Sequence, residues 1–449
     1  MFSDPRTCTD PLVLRALSIW DRVNNSRAIA ELEASRLREE LRNTDNPQAF
    51  AWATATCGRL AAYREQVEVA ETLLTDALGR FFLIGDSYGK ALVTSLLAIP
   101  QALRGNLRRC RELALEPFQS EAQFNPKDLV LMHCVAAMTF QECGEYHAAI
   151  HHLNSEYELV NKAAQRDRMY SVVANIGVIL VSIGEFQLGL EAASTAWRLE
   201  QTNCADGRKP SLTALGNMVA ANCHLDHLDD AARDVELLIS QIRSRPDLDL
   251  SSVIYDQVAF ACARTGRVGL AKEFLERFRK SSVGHHSVSR RALVECTETL
   301  LLEVEGKLDE AIKRAGKVFL DKTPLFPSTS YWDMAGILAR CYARQGNQAE
   351  SNRWARHKKE IGQNNLLSDL LSNQVRSNLR AEASVKFTDQ ELSCLRLSAK
   401  GQTSSDIGLK LGIKPRTVNF HFSKILRKLN AMNRQEAIAK AISANIIQQ

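Results

Sequence analysis

The sequence predicts an all-α chain: an α-solenoid of helix hairpins followed by a small four-helix module. Three observations carry this. Glycines recur at a near-constant interval of about forty residues over the first 360 positions, with a column of small residues in phase with them. The last sixty-odd residues carry two threonine-led helix starts on either side of a glycine. Those same residues carry the chain's net positive charge: from Ser384 to Gln449 there are 11 Lys/Arg against 4 Asp/Glu, a net of +7, whereas the other 383 residues sum to −2 (46 basic, 48 acidic). Positive charge gathered into one terminal segment suits a polyanion-binding module joined to a near-neutral body.

The repeat is anchored at Gly105, Gly144, Gly184, Gly266, Gly306 and Gly346, with Asp226 in the gap and Glu65 upstream in the same phase. Successive spacings are 40, 39, 40, 42, 40, 40 and 40. Five positions after each anchor stand Ala70, Cys110, Ala149, Gly189, Ala231, Ala271, Ala311 and Ser351, all small. Two positions after each stand Val67, Leu107, Tyr146, Phe186, Leu228, Val268, Leu308 and Gln348, seven of them apolar. The physical reading is a helix that ends on a left-handed residue and a second helix pinned by the apolar position. The small residue then lets the pair approach closely. One hairpin cannot bury its own apolar face, so neighbours must stack. The run Gly306-Lys-Leu-Asp-Glu-Ala311 resembles the middle of a tetratricopeptide repeat, although that repeat is usually about 34 residues long. The array is therefore TPR-like. Eight units fill roughly 45–365, and Leu12–Leu41, with Ala30 forty residues before Ala70, reads as a ninth, capping unit.

Chemistry-bearing motifs are sparse within the array. Gly85-Asp-Ser-Tyr-Gly89-Lys90-Ala91 has one residue too few between its glycines for a phosphate loop, and an alanine where magnesium needs Ser or Thr. His147 and His151 have metal-pair spacing, but their repeat columns otherwise hold Arg108, Gln187 and Asp309, and Glu112, Glu191 and Lys313, which marks a solvated face. His285-His286 falls in a polar connector. No metal, cofactor or catalytic constellation is expected, and the chain does not read as an enzyme. Eleven cysteines without a Cys-x-x-Cys pattern read as buried thiols of a reducing compartment. The start Met1-Phe-Ser-Asp-Pro-Arg6 lacks a signal-peptide pattern, and no apolar run reaches the roughly 18–20 residues that span a bilayer. The expectation is a cytoplasmic protein with no membrane partner. Asn175, Asn217 and Gln257 stand nine residues before three consecutive anchors. Similar positions in peptide-binding tetratricopeptide domains line the concave groove, so these amides are candidates for effector binding, or simply face water.

Past Gly346, Arg353, Arg356, His357, Lys358 and Lys359 read as the solvated side of the last repeat helix. Leu367, Leu371, Val375 and Leu379 form an apolar stripe on an otherwise polar stretch. The domain organisation is thus 1–365 repeat array, 366–383 helical linker and 384–449 terminal module.

In that module Thr388 with Glu391 makes a capping box for a helix ending near Gly401, and Thr403-Ser404-Ser405-Asp406 starts a short helix through Leu411. Gly412 turns the chain, Pro415 opens a third helix to about Leu429, and a fourth runs from about Arg434 to Ile446. Short helix, glycine turn and longer basic helix make a helix-turn-helix. Val418, Phe422, Ile425 and Leu429 recur at core spacing, which turns Arg416, Asn419, Phe420, Ser423 and Arg427 outward.

At these residues the module resembles the LuxR/GerE family. Glu391, Gly401, Thr403, Ile407, Gly412, Ile413, Thr417-Val418, His421, Lys428-Leu429, Arg434 and Ala437 fall in its register; Gln390 and Lys414 depart from it. The resemblance covers about 62 of 449 residues. It implies a LuxR-type DNA-binding domain in which Asn419, Phe420 and Ser423 meet base edges. Lys424, Arg427, Arg416, Thr417, Ser404 and Ser405 are placed for phosphates. It also implies that the last helix, with Ala437, Ile438, Ala441 and Ile442 on one side, makes the dimer contact. The expected function is a bacterial, sequence-specific transcriptional regulator, an activator, bound to double-stranded DNA as a homodimer and working with RNA polymerase. The repeats would sense a peptide, protein or small-molecule effector. The competing reading is a protein-interaction scaffold whose DNA contact is incidental.

Overall fold

The computed structural model describes residues 4–24, 27–162, 166–203, 212–244, 252–280, 288–320, 329–363, 387–429, 431, 433–443 and 447. The linker stripe Leu367–Leu379 and His285-His286 lie outside them. Among the described residues there are 22 α-helices and no strand. Two units separate: residues 1–194 with 211–375, and residues 376–449 with 195–210. No helix of the described residues is long and apolar enough to cross a membrane.

The larger unit is a succession of hairpins. After α1 (Pro11–Arg22) and α2 (Arg27–Glu40) come α3 (Pro47–Tyr63) with α4 (Val67–Leu83), α5 (Ser87–Leu103) with α6 (Leu107–Leu115), and α7 (Pro126–Glu142) with α8 (Tyr146–Lys162). They continue as α9 (Arg166–Ser182) with α10 (Phe186–Asn203), α11 (Thr213–His224) with α12 (Leu228–Arg243), and α13 (Ser252–Arg264) with α14 (Val268–Lys280). The last two are α15 (Val288–Val304) with α16 (Leu308–Leu320), and α17 (Thr329–Arg344) with α18 (Gln348–Gln363). The first helices, α3 through α17, pack side by side in chain order and form the inner layer.

Each turn is built on the anchor residue. Gly105, Gly144, Gly184, Gly266, Gly306 and Gly346 have φ between +74° and +90°. Glu65 and Asp226, the two substitutes, hold the same conformation at φ +58° despite their Cβ atoms. The following N–H reaches back to the carbonyl five residues earlier, as in Asn106 to Gln101 (2.9 Å), Arg267 to Cys262 (2.7 Å) and His227 to Asn222 (3.0 Å). That bond closes a Schellman turn and satisfies carbonyls the helix end would orphan. The second helix then starts two residues after every anchor.

The small column packs where it should: Ala70, Cys110, Ala149, Ala231, Ala271 and Ala311 are fully buried. Gly189 shows why size matters, since an added Cβ would sit 2.8 Å from Cγ2 of Val181. The apolar column is corrected. Val67, Tyr146 and Phe186 are buried, but Leu228 is 38% exposed and Gln348 is exposed. The position marks the first residue of the second helix, where only half the circumference faces a neighbour. Gly85 (φ +70°) and the Asp86 cap, which accepts from Gly89 N at 2.8 Å, turn α4 into α5. Gly89 leaves room for Phe81, whose ring would lie 2.6 Å from a Cβ there. Lys358 is also corrected: it turns inward with Nζ 3.5 Å from the centroid of the Trp332 ring.

Contacts between distant hairpins show that the inner layer coils tightly. Arg290 of α15 lies 3.2 Å from Glu65, in the turn of the α3–α4 hairpin, and 3.2 Å from Glu142 at the end of α7. The Phe186 and Trp332 rings stand 5.1 Å apart.

Ala271→Glu drives a charge into the closest helix–helix approach and should destabilise the repeat unit by several kcal/mol, on the order of 3–5. Glu273→Ala, at an exposed position paired with Arg277, should change stability by less than about 0.5 kcal/mol. Thermal melts of the two variants will separate if the columns are packing positions, and coincide if they are not.

Candidate nucleic-acid interface

The smaller unit contains α19 (Asp389–Ala399), α20 (Ser404–Leu411), α21 (Pro415–Leu429) and α22 (Arg434–Ser443). Both helix starts are reciprocal capping boxes. Thr388 N donates to Glu391 Oε2 (2.9 Å) while Glu391 N donates to Thr388 Oγ1 (3.2 Å), and Thr403 and Asp406 repeat the exchange at 3.0 and 3.3 Å. Gly412 ends α20 at φ +67°. Cys394, Leu395, Ile407, Val418, Phe422 and Ile425 form the core, with Leu429 partly buried against it.

Arg416, Asn419, Phe420 and Ser423 are exposed on α21, and Thr417 and Lys424 half-buried. The Phe420 ring is 54% exposed and lies under the Lys424 ammonium, 4.5 Å from it. Ser404, at the start of α20, donates to Oδ1 of Asn419 at 2.7 Å, so the first helix sets the orientation of an amide on the second. Ser405 is exposed next to it. The side chain of Arg427 lies outside the described residues, as does that of Ile442.

Two groups hold this face in place. The Glu391 carboxylate is buried and ion-paired to Lys428 near the end of α21. Burial pushes its carboxyl up, but the bonds from Lys428 and Thr388 outweigh that and hold it below the usual carboxylate range. Arg434 lies 3.9 Å from the centroid of the Phe422 ring and donates to Ser404 Oγ (3.0 Å), the Gln402 carbonyl (3.3 Å) and Ser398 Oγ. It ties α19, the loop and α20 to α21.

The dimer expectation needs correction. Ala437 and Ala441 are fully buried in the domain's own core, and Ile438 packs against the same core. Alanines spent on the interior cannot present their side chains to a second chain. Among the effector candidates, Asn217 donates to the Ala174 carbonyl (3.0 Å) and accepts from Gln257 Nε2 (3.3 Å), and both line a cavity. Asn175 is not in that cavity's wall; its amide lies 3.9 Å from Cys134 Sγ. Gly408 is a residue that the sequence reasoning missed; its one signal is a glycine inside a short helix. A Cβ there would meet the Ile413 carbonyl oxygen at 2.6 Å, so the turn between the two helices closes only over a glycine.

The model of bacterial regulatory proteins of the luxR family matches residues 385–441. These residues are a luxR-family regulatory domain. The chain is 46% identical over 61 residues to the transcriptional activator protein AhyR of Aeromonas hydrophila, covering 14% of this chain and 24% of that protein. It is 39% identical over 83 residues to the transcriptional activator protein SolR of Ralstonia nicotianae (18% and 35%). The quorum sensing-dependent transcriptional regulator RpaR of Rhodopseudomonas palustris is 38% identical over 84 residues (17% and 35%). The chain thus spans between about a quarter and about a third of the length of these relatives.

Gly408→Ala should cost roughly 1–3 kcal/mol through the forced shift of the Ile413 carbonyl. Hydrogen exchange on the full chain should show faster exchange of α20 and α21 amides, with those of α3 to α18 unchanged. Unaltered protection in α20 and α21 would mean that the close approach is not a constraint.

Proposed function

We propose that the protein is a sequence-specific, DNA-binding transcriptional activator of the bacterial cytoplasm, not an enzyme, with the repeat array as its effector-binding part. The observation that carries this is the α21 face, where Asn419, Phe420 and Ser423 stand exposed on a helix of a luxR-family domain whose preceding helices α19 and α20 both start in capping boxes. An amide of this kind matches adenine N6 and N7 in the major groove, and an aromatic edge matches a thymine methyl. Arg416, Thr417, Lys424, Ser404 and Ser405 flank that face and, with Arg427 of the same helix, serve as phosphate contacts. The domain binds as a homodimer to half-sites about one helical turn apart and presents the complex to RNA polymerase. Its self-contact uses residues other than Ala437 and Ala441. The relatives named activators support the sign of regulation.

The test is a titration of the full chain against operator and scrambled duplexes at several salt concentrations. Arg416→Ala should weaken both duplexes about equally and flatten the log–log salt dependence by roughly 0.9. Asn419→Ala should cost about 1–3 kcal/mol on the operator, little on the scrambled duplex, and relax preference at one base pair. Identical profiles for the two variants would mean that the face is misassigned. No sequence preference in the wild type would remove the regulator reading.

A further inference from the structure

The inner face of the repeat array is a walled cavity, not an open groove. The first helices α9, α11, α13, α15 and α17, with the end of α7 and the start of α8, line a partly open cavity of about 100 Å³. That is well above the roughly 10–15 Å³ that a single water needs. Its rim is tied by contacts across many repeats: Arg290 to Glu142, the Ser289 hydroxyl to the Glu142 carboxylate, and Phe186 against Trp332. An extended peptide rises about 3.3 Å per residue and needs a groove open at both ends. This wall suits a compact molecule instead.

The lining chemistry is lopsided. Glu142, Asp256 and Asp333 contribute carboxylates against the single guanidinium of Arg290, whose charge is already shared between Glu142 and Glu65. Asp256 is 4% exposed and accepts a hydrogen bond from Thr297 at 2.9 Å. Burial pushes its carboxyl up to about 7, against the Thr297 hydrogen bond and the Arg290 charge, which lower it, while the nearby Asp333 adds to the rise. Asp333 itself lies 3.3 Å from His224 Nδ1. Ser330 lines the cavity and is 1% exposed, and its buried hydroxyl oxygen has no hydrogen-bond partner among the described residues. A buried hydroxyl without a partner costs free energy unless something supplies one. Gln257 reaches the wall because Gly216 faces it: a Cβ there would lie 2.2 Å from Gln257 Oε1. His224 at 3.3 Å and the Lys358 and Arg340 charges act on Asp333, but among the residues that line the cavity three carboxylates face one guanidinium, so a cation is favoured there over an anion.

We propose that this cavity binds a small organic cation, with a protonated amine held by Asp256 and Asp333 and a polar group of the ligand on Ser330 and Gln257. Occupancy is the signal that the DNA-binding domain reports. That last step rests on the regulator reading above; the binding does not.

The experiment titrates the full chain with a panel of ammonium compounds, comprising amino acids, linear diamines, polyamines and quaternary amines. Each is paired with the neutral alcohol and the carboxylate of the same skeleton, and binding is read by calorimetry and thermal shift. At least one ammonium compound should bind saturably and at least tenfold more tightly than its alcohol and carboxylate partners. Asp333→Asn should weaken that compound tenfold or more, and Ser330→Ala by a smaller factor, both with the circular dichroism of the wild type. Asp256→Asn removes a buried charge, so it should melt no lower than the wild type and still lose affinity, which separates binding from folding. Panel-wide failure of the ammonium compounds, preference for the carboxylates, or undiminished affinity in all three variants would overturn the site. Fluorescence anisotropy on operator DNA is read separately. Binding that leaves DNA affinity and transcription unchanged would overturn the regulatory step alone.

Discussion

The repeat unit depends on a backbone conformation that residues with a Cβ avoid. Eight helix pairs turn through one residue with φ well above zero, and only the back-bond from the next N–H makes that turn end one helix and begin another within four residues. The register of everything else follows. The small residue falls in the first bonded turn of the second helix, where the pair is closest. The inner helices emerge at a constant phase, so their polar residues collect on one surface. Glu65 and Asp226 hold the same conformation at a cost of about 1–2 kcal/mol each, and both also make ion pairs, with Arg290 and Arg264. Tertiary contacts support the strained backbone where glycine is missing.

Much of this was legible because a period makes equivalent positions visible without knowing what they touch. The anchors, including the two without glycine, the hairpin order and the small column all follow from spacing. The apolar column was misread for a related reason: recurrence identifies a position in the helix, not how deeply it is covered. Curvature was not legible. Nothing local joins Arg290 to Glu65 or brings Phe186 to Trp332, so the groove expected at Asn175, Asn217 and Gln257 became a walled cavity that contains two of the three.

In the terminal domain the caps, the glycine turn and the outward face of α21 were written in the sequence, since each is set by residues within four positions of one another. Arg434 appeared there only as a family position; its links to Ser398, Gln402 and Ser404 require the fold. The last helix shows the opposite limit. Ala437 and Ala441 lie on a stripe that a sequence cannot assign to an internal core or to a partner, and the domain uses it for itself.

The bond between Arg290 and Glu65 also bears on how the array folds. Hairpins that touch only their neighbours melt piecemeal from the ends, because each interface is gained or lost alone. A contact across 225 residues changes that rule. Closing so long a loop is entropically costly before the intervening hairpins exist and cheap once they do, so the contact forms last and favours the complete coil. The array should then lose structure in fewer, larger steps than an open stack of the same length. Loss of an end hairpin would be felt at its middle.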